Sequence, residues 1–305
     1  MTADAASIAA LLNAAYAETR ALPRVVAWPV EKPLMTEADI ATGRRHAPDE
    51  FIIERNGVVV SGVAVRAEAN AGGSLAWFGA HPDYRRQALA SDCLHRALDR
   101  LRDSNVERVQ TSHFIDSRVA SACGFLEAHG FTVREPQQQN IVMQIDMGEY
   151  QPLPIALPPD YRIEALRPEW IPLWLQTKDR VFGGSTAEDW FEKTFSHRWD
   201  FEWGGWMSLW RGDEMIGMSS ADMFRDPEHR ESYSGAQIEY VGVVEGHRGL
   251  RLGEMIVRSC LDYVKALDVK PCQLITQPFR VPAITLYQRL GFRHVRENRV
   301  YEMKL

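Results

Sequence analysis

The chain has 305 residues, more than a single hydrophobic core usually organises, so two domains are expected. Hydrophobic residues make up 45% of it and charged residues 25%, with a formal net charge of -6. That balance is ordinary for a soluble globular protein and argues against general nucleic-acid binding.

The opening stretch, MTADAASIAALLNAAYAETR, reads as an amphipathic helix. Asp4 is acidic and no Lys or Arg precedes Arg20, so the cationic start of an export signal is missing. FIIERNGVVVSGVAV, Phe51 to Val65, reads as a hairpin turning at Asn56-Gly57. FGAHPDYRRQALASDCLHRAL follows as strand, loop and helix, then VASACGFLEAHGF, Val119 to Phe131, and a closing strand, NIVMQIDM. Clustered prolines in EYQPLPIALPPDY, Glu149 to Tyr161, oppose both helix and central strand and mark a linker.

The same landmarks then recur in the same order, which says more about architecture than local propensity does. WMSLWRGDEMIGMSSA, Trp206 to Ala221, is a hairpin turning at Gly212-Asp213. VGVVEGHRGLRLGEMIVRSCL parallels the first strand-loop-helix, VPAITLYQRLGF (Val281 to Phe292) parallels VASACGFLEAHGF, and NRVYEMKL closes the chain. The predicted division is residues 1–148, a linker over 149–160, and residues 161–305. Each half mixes strands and helices around a sheet, an α/β (α+β) fold class.

IEYVGVV, Ile238 to Val244, reads as a buried strand, and Met255, Ile256, Cys260, Leu261 and Val264 form the apolar stripe of the following helix. Unpaired amides and the positive dipole end at the start of such a helix make an anion site, and something phosphorylated is the natural guest. The cysteines, Cys93, Cys123, Cys260 and Cys272, form no CxxC pair and fall on apolar or helical patterns. They read as buried reduced thiols, with a cytosolic location. No His spacing implies a metal, no GxxxxGK[ST] implies a nucleotide P-loop, and no run reaches the ~20 apolar residues of a membrane span. The aromatic stretch Trp190 to Trp210 reads mostly as core and interface packing, with one or two rings left to wall a pocket.

These motifs together resemble the tandem members of the GNAT superfamily of acyl-CoA N-acyltransferases, over nearly the whole chain. In that family a strand ends in Val before a loop of form Q/R-x-x-G-x-G/A. Val243 and RGLRLG, Arg248 to Gly253, match it, except that Arg251 stands at the middle glycine. The resemblance implies two GNAT-like domains, acetyl-CoA as co-substrate, and coenzyme binding by Val243, Val244, Arg248, Gly249, Leu250, Arg251, Leu252 and Gly253. AITLYQRLGF resembles the family's A-x-x-L-Y-x-x-x-G-F element, so Tyr287 stands where a general acid protonates the departing thiolate; the alternative is a ring packed under the sheet. Glu239, four residues before Val243 and so on the same face by the strand period, is the expected general base, with Asp222 in reserve. In the first half the loop is RRQALA, Arg85 to Ala90, and Leu126 replaces the tyrosine, so that half reads as structural or as shaping the acceptor site.

The expected reaction is direct acetyl transfer to a primary amine of a small molecule or peptide, with no nucleic acid or membrane partner. Arg251 and the eroded first half support a rival reading, a non-enzymatic acyl-CoA-binding or regulatory module. A third reading is a thiol-biosynthesis acetyltransferase resembling mycothiol synthase, also a tandem GNAT. The loop departures and the absence of a distinctive sugar-amine signature place it below the generic one. Glu188, Asp189 and Glu192 beside Trp190 and Phe191 suit the entry of an amine with an apolar body.

Overall fold

The computed structural model of the chain describes residues 4–17, 36–44, 49–135, 137, 139–225, 229 and 231–305. Through the first half run α1 (Ala5–Ala15), α2 (Glu37–Arg44), β1 (Asp49–Arg55), β2 (Val58–Ala67), β3 (Gly72–Ala80), α3 (Leu89–Asp103), β4 (Arg108–Thr111), β5 (Ile115–Asp116), α4 (Ala120–Ala128), β6 (Thr132–Val133) and β7 (Asn140–Ile145). The second half supplies β8 (Tyr161–Ala165), α5 (Ile171–Phe182), β9 (Trp206–Arg211), β10 (Glu214–Arg225), β11 (Tyr233–Val243), α6 (Leu252–Ala266), β12 (Cys272–Thr276), α7 (Val281–Arg289), β13 (Arg293–Arg299) and β14 (Tyr301–Lys304). The expected N-terminal helix appears as α1, capped by Asp4 accepting from the Ser7 amide at 2.7 Å. Residues 1–3 and 18–20 of that stretch lie outside the described residues.

Both hairpins form where turn chemistry places them. Asn56 and Gly57 take φ of 52° and 75°, closing Arg55 against Val58, and Gly212 at φ 55° closes Arg211 against Glu214. Proline-rich residues 149–160 carry no helix or strand, as rings that fix φ and remove amide donors dictate.

Two compact units result. Among the described residues one holds 4–17, 36–140 and 296–305, and the other 141–295. The contiguous division at 148 and 161 is thereby corrected, because each half's closing strand belongs to the other unit. β14 pairs antiparallel with β4 (Glu302↔Gln110) and β6 in the first sheet, ordered β1-β2-β3-β4-β14-β6. β7 pairs antiparallel with β12 (Ile145↔Cys272 to Ile141↔Thr276) in the second, whose run is β7-β12-β11-β10-β9-β8. A sequence repeat records what is alike; strand partners are chosen by which sheet edge offers free N–H and C=O groups.

In the first unit α3 and α4 cover the sheet through Cys93, Leu94, Ala97, Leu98, Leu101, Cys123 and Leu126 against Val63, Val65 and Leu75. In the second, α6 and α7 cover one face through Val257, Cys260, Leu261, Val264 and Tyr287 against Ala221, Ala236, Ile238, Cys272 and Leu274. Trp174 and Leu175 of α5 pack with Trp206, Trp210, Met215 and Met218, strand residues that alternate with those facing α6. Leu126 is fully buried, so Leu126→Ala is expected to cost about 2–5 kcal/mol by cavity formation. Equilibrium denaturation checks this, and turnover should be untouched below the melting range.

Candidate active site

The strand-loop-helix at Ile238 to Ala266 builds the site around a break in the ladder. β11 and β12 run parallel and are paired only at Ala236↔Cys272, Gln237↔Gln273 and Ile238↔Leu274. Beyond Ile238 the strands are unpaired. The cause is a β-bulge: partners on β10 jump between Met218↔Gly242 and Ser220↔Glu239, and Tyr240 sits at φ 51°. The first sheet opens alike, since β3 and β4 pair only through Leu75↔Thr111.

The bulge corrects one expectation. Its extra residue breaks the two-residue period, so Glu239 and Val243 lie on opposite faces. Val243 packs with Leu209, Ile216, Leu252 and Ile256 on the α6 side. Glu239 is opposite Ser220, itself opposite Trp206, on the side of the aromatic cluster. Tyr240 falls on that side too, 5.2 Å from Trp174 and 5.8 Å from Trp206 between ring centroids.

Glu239 Oε1 accepts a 2.5 Å hydrogen bond from Gln237 Nε2, and Oε2 has no hydrogen-bond partner among the described residues. Burial pushes its carboxyl up to about 7, helped by the nearby Asp222 charge and opposed by the Gln237 bond and Arg198. Asp222, the reserve base, is committed elsewhere: it is 2% exposed and receives Arg198 Nη1 at 2.7 Å. Arg198 also holds Asp200 at 3.0 Å.

On the α6 side Tyr287 is 7% exposed, in the cluster that contains Ile238 and Leu274. Burial pushes its phenol up to about 12, partly offset by Arg280, so it remains a protonated donor throughout the neutral range. Its hydroxyl bonds to no described residue. Tyr287 and Glu239 thus lie on opposite faces of the second sheet.

The loop keeps its shape despite arginine at the glycine position. Arg251 adopts φ 58° and Gly249 φ 86°, and in the first half Ala88 and Arg86 adopt 59° and 61°. Left-handed backbone costs a non-glycine residue roughly 1–2 kcal/mol. Here the Arg251 guanidinium turns away from the loop to the Glu254 carboxylate, at 2.7 Å and 3.2 Å. Glu254, held below its ordinary range by the hydrogen bonds from Arg251, is 3% exposed and also faces Arg258 at 3.3 Å and Arg289 at 3.6 Å.

Amides of Gly249, Leu250, Arg251, Leu252 and Gly253 donate to no acceptor among the described residues; the first bonds of the helix run from Glu254 and Met255 to the Arg251 carbonyl at 3.0 Å and 3.1 Å. Five free donors at a helix start suit a pyrophosphate. Arg248 differs from expectation, since its Nε donates to the Val243 carbonyl at 2.9 Å, a staple repeated by Arg85 to Ala80 at 3.5 Å. Leu250 is exposed, Leu252 at the start of α6 is buried against Leu209, Ile216 and Val243, and the Val244 amide donates to Ile216. The first half has Ala76 and Leu126 where the second has Glu239 and Tyr287.

The chain matches the Acetyltransferase (GNAT) family over residues 10–131 and 164–292, most of its length and once per half. It belongs to the GNAT acetyltransferases. As a tandem GNAT enzyme it resembles the mycothiol acetyltransferase of Pseudarthrobacter chlorophenolicus, 25% identical over 81% of this chain and 75% of that protein. With the mycothiol acetyltransferase of Corynebacterium glutamicum (strain R) it shares 26% identity, over 42% of this chain, and spans only 43% of that relative's length. Its fold is that of a tandem GNAT protein from the clavulanic acid biosynthesis pathway, with TM-score 0.63, 16% identity, and 99% and 95% of the two chains covered. A GCN5-related N-acetyltransferase from Sphaerobacter thermophilus gives TM-score 0.60 at 18% identity, covering 99% and 92%. Among the described residues no group of three or more His, Cys, Asp or Glu is placed to hold a metal ion, and no helix is long and apolar enough to cross a membrane.

Sequence reasoning missed Gln237 and Gln273, whose side chains run toward Glu239. The signal available was two glutamines inside otherwise apolar strands.

Proposed function

We propose that the second half of this GNAT acetyltransferase transfers the acetyl group of acetyl-CoA directly to a primary amine of a small molecule or peptide. The parting of β11 and β12 just before Glu239, with Tyr287 on the opposite face in this half alone, carries the reading. The free amides from Gly249 to Gly253 hold the pyrophosphate, and the thioester enters the opening. Amine attack on the acetyl carbon forms the C–N bond and expels the thiolate. Glu239 Oε2 takes the proton that the amine loses, and the Tyr287 hydroxyl gives one to sulfur. Positioning makes the attack effectively intramolecular and supplies most of the acceleration.

The acceptor enters from the aromatic side. A surface hollow of about 460 Å³ lined by Asp189, Glu192, Lys193 and His197 supports a cationic amine, although Lys193 already neutralises Asp189 at 2.5 Å. Phe191 is fully buried core, while Trp190 is half-buried and free to wall the entrance. Four buried, unpaired cysteines support work in the cytosol. The relatives' name favours a second reading, mycothiol acetyltransferase activity. The non-enzymatic reading loses one support, because Arg251 takes the glycine-like conformation.

A thiol-release screen over amino sugars, polyamines, aminoglycosides, amino acids, peptide N-termini and the mycothiol precursor amine tests this. With the best acceptor, Tyr287→Phe should lower kcat roughly 10²–10⁴-fold while leaving coenzyme affinity unchanged. Release with no amine, or full kcat in Tyr287→Phe with chemistry rate-limiting, overturns the scheme. If anionic acceptors lead and cationic amines are inert, only the acidic-entrance argument falls.

A further inference from the structure

A row of polar side chains crosses the second sheet on the face away from α6. Asp222, Gln237 and Gln273 are consecutive cross-strand partners on β10, β11 and β12. They alternate with Ala221, Ala236, Ile238, Cys272 and Leu274 of the core. Gln237 and Gln273 are 2% and 0% exposed. Gln273 Nε2 donates to Gln237 Oε1 at 2.8 Å, and Gln237 Nε2 donates to Glu239 Oε1 at 2.5 Å. The chain ends at Gln273 Oε1, which is buried and has no partner.

The direction of this chain follows from its end. An ionised carboxylate only accepts, so Gln237 turns its NH₂ group toward Glu239 and its oxygen toward Gln273; Gln273 then turns its own NH₂ toward Gln237 and leaves its oxygen over. A buried acceptor without a partner costs about 1–3 kcal/mol, which an apolar residue at 273 would avoid. The amide is therefore stabilising only through the bond it donates toward Glu239.

We propose that Gln237 and Gln273 are positioning residues, a two-amide chain that ties down Oε1 of Glu239 and leaves Oε2 as the oxygen that receives the acceptor's proton. The inference rests on the acetyltransferase reading above and names what orients its base. The bulge at Tyr240 makes such a tether necessary. Just past Ile238 the strand leaves its parallel partner, and an untethered glutamate there would sample several rotamers, each misplacing the proton acceptor.

The charged and titratable groups facing Glu239 are Asp222 of β10, Arg198 of the preceding loop, which also holds Asp200, and Tyr240 beside it. Asp222 raises its proton affinity, and Arg198 and the Gln237 bond lower it. Deleting the amide donor while Asp222 and Arg198 stay in place moves the titration upward.

The full chain, labelled with ¹³C at glutamate carboxyls, is titrated by NMR without substrate, the Glu239 signal being identified by its loss in Glu239→Gln. Gln237→Met, close in volume, should raise the Glu239 midpoint by about one pH unit. Gln273→Met should shift it in the same direction by less, and it keeps the question open to test should Gln237→Met fail to fold. In turnover, both should lower kcat with the acetyl-CoA KM unchanged and move the acidic limb with the NMR midpoint. Midpoints at the unsubstituted value in both variants overturn the positioning chain. An acidic limb that survives in Glu239→Gln instead overturns the base assignment, and the NMR shift still decides the amide chain by itself.

Discussion

Gly253→Glu is expected to abolish acetyl-CoA binding without unfolding the chain. A Cβ at 253 would meet Leu286 Cδ1 at 3.4 Å, an ordinary contact on the edge of crowding, and the residue's φ is not left-handed. The new carboxylate then stands among the free amides from Gly249 to Gly253. Two unit charges ~5 Å apart at an effective dielectric near 20 repel by about 3 kcal/mol, so affinity should fall on the order of 10²-fold or more. The matching substitution in the first half, Ala90→Glu, should leave affinity unchanged, because that half has Leu126 for Tyr287 and Ala76 for Glu239. Calorimetry on the unsubstituted chain should give one acetyl-CoA per chain. Two equivalent sites, or unaltered affinity in Gly253→Glu, would overturn the assignment to the second half.

Replacing Glu239 by glutamine should have the second large effect, read from the pH profile. Its carboxyl, pushed up to about 7 by burial, is a working base only when ionised. The rate of the unsubstituted chain should therefore rise with pH through about 7 and be lost below it. Glu239→Gln should lower kcat/KM roughly 10²–10⁴-fold and erase that inflection. The later rise from deprotonation of the acceptor amine itself should survive.

Stability should move the other way. A carboxyl whose proton affinity is higher folded than unfolded favours the fold while protonated in both states. That contribution is complete below the ordinary glutamate range and is lost as pH rises to about 7. Above pH 7 the glutamine variant, with no charge to bury, should melt at a higher temperature than the unsubstituted chain. A retained inflection near 7, or a lower melting temperature there, removes Glu239 from the role of buried base.

By itself the sequence determined the duplicated order of elements, the two hairpin turns, the apolar stripe of α6 and the proline-rich break between halves. Each of these is a local signal, readable from periodicity or from the φ preferences of Asn, Gly and Pro. It also brought Tyr287 and the Arg248–Gly253 loop into view, through spacing shared with a family. Tertiary structure decided the rest.

Counting by twos put Glu239 and Val243 on one face, whereas the bulge at Tyr240 separates them. No propensity announces a tyrosine at positive φ; the surrounding aromatic rings hold it there. Arg251 takes the left-handed turn that Ala88 takes in the first half, and its guanidinium is received by Glu254, one helical turn away. Arg248 is spent on the Val243 carbonyl, a bond invisible until the loop folds back. The closing strands NIVMQIDM and NRVYEMKL were legible as strands, yet each joins the sheet of the other half. Strand character is local, but the partner is whichever edge leaves backbone donors and acceptors unpaired, and that is settled only when the sheets exist.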